Sequence, residues 1–455
     1  MQYKAEEHLY MNSEIRYEKN VPVCGTGYDV IVCGAGPAGI CAAVSAARMG
    51  ARVLLAERYG LVGGMLTMGA ISPVLGSVSH GTMYDEVCQR ISGGEVSFVT
   101  TRNGREVAVD RETAKAALDV MLKEAGVTVW LGAAAADVIT EEANGRRRVT
   151  GVIFATQCGL VAVHAKVVAD CTGDGCIAAL AGCGFDIGRT GDGRLQPMSL
   201  EFVLEDVAPD AIIVFGGSDP VKIPSGEYAG MEFREFCKLK NREGELPENV
   251  TIVRLHFKTR PTEREVNATQ VNGFDPLDPA DVAAAEIELR SQIAVITEFL
   301  RKYIPGYENC RVSDSSDAVG VRESRRIRGI DAVCDADVEE GRMRADAVVH
   351  NAWFLIDIHN PAGGGQAEGH SRMAKPYDIP YGAFLPADAD GLIVAGRCIS
   401  GTHRAHASYR VMAICMAMGE AAGIAAAEAA VRGVDPKDIP AADIRAELSA
   451  RGVEL

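Results

Sequence analysis

The sequence predicts an α/β fold in which a parallel sheet covered by helices is assembled from both ends of the chain, with an α+β unit inserted between the halves. Three observations predict it. Near the N-terminus, "YDVIVCGAGPAGICAAVSAARMGARVLLAERYG" (28–60) reads strand, glycine-rich turn, helix, strand. Near the C-terminus, "GLIVAGRCIS" (391–400) and the Ala/Gly stretch from about 409 to 431 read strand, polar loop, helix. Between about 186 and 375 the texture shifts to Pro, Asp, Arg and irregular turns. Alternating strand and helix patterns mark a parallel sheet, and 455 residues exceed what one ordinary core holds.

The elements follow in order. Residues 28–33 are a β-branched run that reads as a strand, 37–49 a small-residue helix opened by Pro37 and ended by Gly50, and 52–57 a second strand. Residues 110–125 are expected to be helical and 127–131 extended. Three strand-like runs, roughly 136–142, 148–155 and 160–171, are separated by Asn144-Gly145 and Cys158-Gly159, a β-meander pattern. An amphipathic helix is expected over 280–303.

Bulk properties narrow the function. A formal net charge of −16 repels phosphate backbones and anionic membranes, so neither nucleic acid nor a membrane surface is an expected partner. The thirteen cysteines are an odd number without a CxxC pair or zinc-type spacing, and read as buried small hydrophobes in a reducing compartment. Residues 1–27 carry charges throughout and lack the apolar core of a signal peptide, while Glu420 and Glu428 interrupt the small-residue run of 411–431. A cytoplasmic protein is the expectation.

"GAGPAG" sits directly after a strand and opens a helix, the context a dinucleotide fingerprint requires. Gly34 permits the tight turn, Gly36 lets backbone approach a pyrophosphate, and Gly39 lets the helix pack on the strand. Glu57, 18 residues after Gly39, suits a ribose 2′-hydroxyl and disfavours a 2′-phosphate. The unit is therefore Rossmann-type. NAD and FAD share these features, and three further stretches favour FAD. "ERYGLVGGMLTMG" adds a second glycine-rich segment whose amides can line a longer cofactor. "VVADCTGDG" ends a strand in Thr172-Gly173-Asp174. The C-terminal strand, loop and helix bring a positive helix end to where a reduced, anionic isoalloxazine would carry charge.

With "VGVRESRRIRG" (319–329), "IDIHNP" (356–361) and "YDIPYGAFLP" (377–386), these stretches cover nearly the whole chain in order and resemble the bacterial FAD-dependent oxidoreductases of the glutathione-reductase-type fold. The resemblance implies that Gly34, Ala35, Gly36, Pro37, Ala38, Gly39, Glu57, Arg58, Gly63, Gly64, Met65 and Thr67 hold the ADP half. It implies that Thr172, Gly173 and Asp174 lie beside the cofactor, and that Gly396, Arg397, Ile399, Arg410 and Val411 approach the flavin. Many relatives place a Gly-Asp pair in the C-terminal segment, where this chain has "AGRCIS" and thus Arg397. The implied organisation is an N-terminal arm (1–27), a discontinuous FAD-binding domain (28–75, 106–185, 376–435), a substrate or cap domain (76–105, 186–375) and a C-terminal helical tail (436–455).

Proton-transfer groups are sought where the flavin segments end, because the flavin itself moves hydride or electrons. His403 and His406 lie in "GTHRAHASYR", expected as the loop between the last strand and the last helix, with either a proton-transfer or a structural role. Their H-x-x-H spacing lacks a third metal ligand, and no metal is expected. Asp357 and His359 alternate onto one face of a strand entering a glycine-rich loop, where the carboxylate could orient the imidazole. Tyr381 is an alternative acid. Arg322 and Arg325, in a run that also holds Glu323, Arg326 and Arg328, are candidates for binding a substrate carboxylate. The expected activity is hydride transfer between FAD and a small organic molecule, by dehydrogenation of an alcohol or C–C bond or the reverse reduction. An NAD-dependent dehydrogenase and a flavin-bearing electron-transfer subunit are the competing readings. The electron acceptor or donor and the oligomeric state, a homo-oligomer included, are left open.

Overall fold

The computed structural model describes residues 18–25, 27–92, 98–101, 104–143, 145–214, 220–366 and 372–455. Most of the expected N-terminal arm, residues 1–17 and 26, and Asn144 of the predicted hairpin turn lie outside the described residues.

The α/β prediction holds. The strand Gly159–Asp170 is the hinge of the main sheet: its C-terminal half is flanked on one side by Tyr28–Cys33, followed outward by Val53–Glu57 and Thr128–Leu131, and on the other by Leu392–Val394, all parallel. The registers Cys33↔Asp170 and Val394↔Asp170 bring the C-terminal ends of both chain halves to one edge. The meander Ala134–Ala143, Arg146–Thr156 and Gly159–Asp170 continues the sheet antiparallel, and Ala389–Asp390 adds to its rim. Buried on both faces, the parallel strands Tyr28–Cys33 and Val53–Glu57 read as continuous apolar runs rather than alternating ones.

Helix Pro37–Arg48 packs against Met412–Arg432 at close range. A Cβ on Gly419 would come within 2.0 Å of the Ala38 carbonyl oxygen, and one on Gly423 within 2.2 Å of that of Ala42. Two glycines one turn apart thus let N- and C-terminal segments meet backbone to backbone. Met412–Arg432 is the one helix among the described residues long and apolar enough to cross a membrane, and 89% of that apolar window is buried inside the fold.

A second core lies within residues 198–310. It joins an antiparallel sheet in the order Arg254–Phe257, Arg264–Asn267, Phe202–Glu205, Arg311–Ser315 to the helices Phe233–Arg242 and Pro279–Tyr303. The long helix starts where Asp278 accepts from the Ala280 amide (2.8 Å) with Pro279 in its first turn, and buries Leu289, Ile293, Ile296 and Leu300.

The boundaries differ from the expected ones in three places. Helix Met83–Ile91, expected in the inserted unit, joins the larger core, and the Met83 amide donates to Glu420 (2.8 Å). Residues from Ile327 to Ala374 also contribute to that core, because strand Ala347–Ala352 pairs with Tyr377–Pro380. The C-terminal segment buries Ile444, Leu448 and Val453 and is part of the body rather than a tail. The C-terminal loop differs too: Thr402 accepts from the Ala405 amide (3.2 Å) and caps a short helix, His403–Tyr409, before extended Val411 starts Met412–Arg432.

Candidate active site

A long cleft runs between the two cores, from the end of the second strand to the inserted antiparallel sheet. One end is built largely from backbone. Gly34 has φ +93°, and a Cβ there would lie 2.5 Å from the Cys171 carbonyl oxygen, so the turn and its neighbouring strand require glycine. A Cβ on Gly39 would lie 1.8 Å from the Gly34 oxygen, which is the close packing of helix on strand. At Gly36 a Cβ would meet nothing within 4 Å, so the space before the helix N-terminus is open to a ligand. Glu57 accepts from the Ala35 amide (2.7 Å) and the Tyr59 amide (3.0 Å), which aims its carboxylate at the fingerprint. The second glycine segment is tied on by Gly63 N–H to Ala35 O (2.8 Å), and Gly64 stacks against Gly36.

The middle of the cleft is a charge network. Buried Asp170 accepts from the amide and hydroxyl of Thr172 (3.1 and 2.7 Å) and from the Ala178 amide (3.0 Å), shaping the Thr172-Gly173-Asp174 turn. Asp174 accepts from Arg397 (2.6 Å) and Ser324 (2.8 Å), with Arg58 at 3.7 Å. Burial opposes its ionisation, but Arg397 and Ser324 overcome this and hold the carboxyl below the usual range. Arg397 therefore serves as the counter-charge of Asp174.

The far end is made of side chains. Ser199, Glu201, Asn267, Ser316 and Arg322 face it from the inserted unit and its joints, and Asp357, His359 and Arg410 from the larger core. Asp357 bonds His359 Nε2 through Oδ2 (3.2 Å) and pairs with Arg410 Nη2 (3.1 Å). Burial and the nearby Arg322 charge push the His359 imidazole down to about 3, so it stands neutral. Burial lifts the Glu201 carboxyl to about 7, and burial together with Glu201 raises its neighbour Glu265 further.

The predicted residues divide accordingly. Gly34, Gly36, Pro37, Ala38, Glu57, Arg58, Gly64, Met65, Thr172, Gly173, Asp174, Gly396, Arg397, Arg410 and Val411 line the cleft. Ala35, Gly39, Gly63, Thr67 and Ile399 sit behind its wall; Thr67, for example, is fully buried and closes its turn by donating to Val62 O (2.6 Å).

Among the chemical candidates, Asp357, His359 and Arg322 reach the cleft; the other four do not. His403 turns away to Glu323 (2.8 Å), and His406 is fully buried with neither ring nitrogen bonded, its pKa pushed well below normal by burial. The reason is local: residues expected as an open loop form a capped helix that faces its rings inward. Tyr381 is buried, donates to Pro436 O (2.7 Å), and has its pKa raised by that burial. Arg325 lies in strand Arg325–Ile327, donates to Asp174 O (3.2 Å) and stacks over Phe185. Sequence reasoning missed Asp170, Ser199, Glu201, Asn267 and Ser316. Of these, only Asp170 carried a local signal, two residues before Thr172 in a turn already singled out.

The backbone cradle, the open space at Gly36, the acid at the end of the second strand and the continuous cleft fit FAD. Comparison with known proteins agrees. The family model described as FAD dependent oxidoreductase matches residues 29–448. A search of curated proteins finds no match. Among solved structures the chain is similar to a geranylgeranyl bacteriochlorophyll reductase-like protein from Thermoplasma acidophilum, at 15% identity over 93% of this chain and 83% of that one, with a TM-score of 0.50. It is also similar to an anhydrotetracycline hydroxylase from Streptomyces rimosus, at 14% identity over 93% of this chain and 66% of that one, with a TM-score of 0.43. These likenesses concern fold alone. The chain belongs to the FAD-dependent oxidoreductase family, and its cofactor is FAD.

Proposed function

We propose that this enzyme transfers hydride between FAD and a small organic molecule seated at the side-chain end of the cleft, with His359 handling the substrate proton. One observation carries the reading: His359 lines the cleft, its Nε2 is bound to Asp357, and its buried Nδ1 has no partner among the described residues. In the neutral imidazole, an Nε2–H given to Asp357 leaves Nδ1 as a lone-pair base. FAD, when bound, supplies the two-electron acceptor or donor. The residues named above along the glycine cradle and around Asp174 would hold it. Asp357 fixes the ring and stabilises the imidazolium that forms when Nδ1 takes the hydroxyl proton of an alcohol; in the reverse direction the same nitrogen returns it. Arg410 keeps Asp357 ionised for that role. All thirteen cysteines are free thiols, which supports work in a reducing compartment.

The test is anaerobic mixing of the FAD-loaded enzyme with secondary alcohols and, after chemical reduction, with the matching ketones and enoates, following the flavin absorbance. His359→Gln should retain FAD and slow the absorbance change by about 10²–10⁴-fold. A His359→Gln enzyme that bleaches as fast as the wild type would remove His359 from the chemistry.

A further inference from the structure

We propose that Arg322 is an empty-handed anion anchor and that the substrate is a small hydroxycarboxylate, its carboxylate held by the Arg322 guanidinium and its hydroxyl directed to His359. The inference rests on the functional reading above and deepens it. Arg322 is 8% exposed and lines the cleft, yet its one hydrogen bond is from Nη1 to Pro197 O (2.8 Å), and it forms no ion pair among the described residues.

The other buried and half-buried arginines of the two cores show how unusual this is. Arg326 is paired with Glu323, Arg397 with Asp174, and Arg410 with Asp357. Arg264, more deeply buried, spreads its donors over the carbonyls of Pro261, Glu263, Ala208, Pro209 and Ala211. A guanidinium carries five N–H donors, and Arg322 uses one. A buried charge without a partner is costly, and a ligand carboxylate held through two parallel hydrogen bonds removes that cost.

The neighbouring acids do not fill the role. Asp357 is already shared between Arg410 and His359. Glu201 acts on Arg322 from beyond ion-pair distance, and its carboxyl, lifted to about 7 by burial, competes with Glu265 for protons. Burial together with Arg410 brings Arg322 down to about 10, which still leaves it protonated at neutral pH. Around it stand buried polar atoms that lack partners and whose side chains line the same cleft: Arg410 Nε as a further donor, and Asn267 Oδ1, Glu201 Oε2 and His359 Nδ1 as acceptors. Donors for an oxyanion beside acceptors for a hydroxyl match a hydroxy acid better than a neutral alcohol. After burial, the Arg322 charge is the largest influence depressing His359. A carboxylate on Arg322 would offset it, making His359 a stronger base when substrate is present.

The experiment reads binding without turnover. FAD-loaded wild type, Arg322→Met and Arg322→Lys are melted alone and with glycolate, lactate, malate and 3-hydroxybutyrate, each beside its neutral amide, and with inorganic phosphate. At least one carboxylate, and no amide, should raise the wild-type Tm. Arg322→Met should melt no lower than the wild type when unliganded, because it loses an unpaired charge, and should bind the carboxylate at least about 30-fold more weakly. Arg322→Lys should recover part of the shift. Three results would each overturn the proposal: no carboxylate shifts the wild type, Arg322→Met melts far below it unliganded, or phosphate and amides act as well as carboxylates. Since no redox step is read, failure of His359 as the proton acceptor leaves this result standing, and the converse.

Discussion

The two ends of the cleft are built by opposite means. At the fingerprint end the wall is backbone, three glycines spaced over six residues make the turn, the approach and the packing, and Glu57 acts by bonding amides. At the far end the wall is charged and polar side chains drawn from positions between 199 and 410, several with buried atoms that have no partner. The first end is satisfied as it stands and recognises what every dinucleotide has in common. The second is electrostatically incomplete, which is what a site for a specific polar substrate requires.

The largest loss is expected at Gly39. A valine there must push its Cβ into the Gly34 oxygen, so Gly39→Val should lose more than about 4 kcal/mol and fail to fold as a soluble protein, checked by urea unfolding or expression yield. Gly36→Ala separates binding from folding. Its Cβ meets nothing, so apoprotein stability should change by less than about 0.5 kcal/mol. FAD, however, should bind about 100-fold more weakly in a fluorescence titration, because the methyl takes the space before the helix. Unchanged affinity would mean that the open space is not the pyrophosphate site.

The far end is probed by pH. Glu201 has a folded-state pKa raised from 4.5 to about 7, so between those values the folded protein binds more protons than the unfolded chain. Its contribution to stability therefore falls as pH rises through that window. Glu201→Gln should remove this decline, gaining about 3 kcal/mol on the wild type between pH 4.5 and 8 in urea titrations. A difference that stays flat with pH would show that Glu201 is ionised in the fold. The smallest effect is expected at Tyr381, outside the cleft: Tyr381→Phe should cost about 1 kcal/mol through the lost bond to Pro436 and leave FAD content and the flavin spectrum unchanged.

Legibility in the sequence followed the same divide. The strand, turn and helix around Gly34–Gly39, the meander and the helix Pro279–Tyr303 were readable because each is specified by spacing over a few residues. His403 and His406 were placed in the wrong setting because a single cap, Thr402, turned an expected loop into a helix that faces its rings inward. Glu201 and Asn267 were invisible because nothing near them in the chain marks them; they reach the cleft only through the pairing of Phe202–Glu205 with Arg264–Asn267.

Fold class, cofactor and backbone cradle were already written in the order of the residues, since hydrogen bonding, glycine sterics and strand–helix periodicity act between near neighbours. Which charges meet was settled by the folded chain as a whole. Arg397 found Asp174 across 223 positions, Arg410 took Asp357 across 53, and Arg322 was left without a carboxylate among the described residues. The energy of a charge depends on its burial and on partners brought close by the whole fold, and neither can be read from its place along the chain.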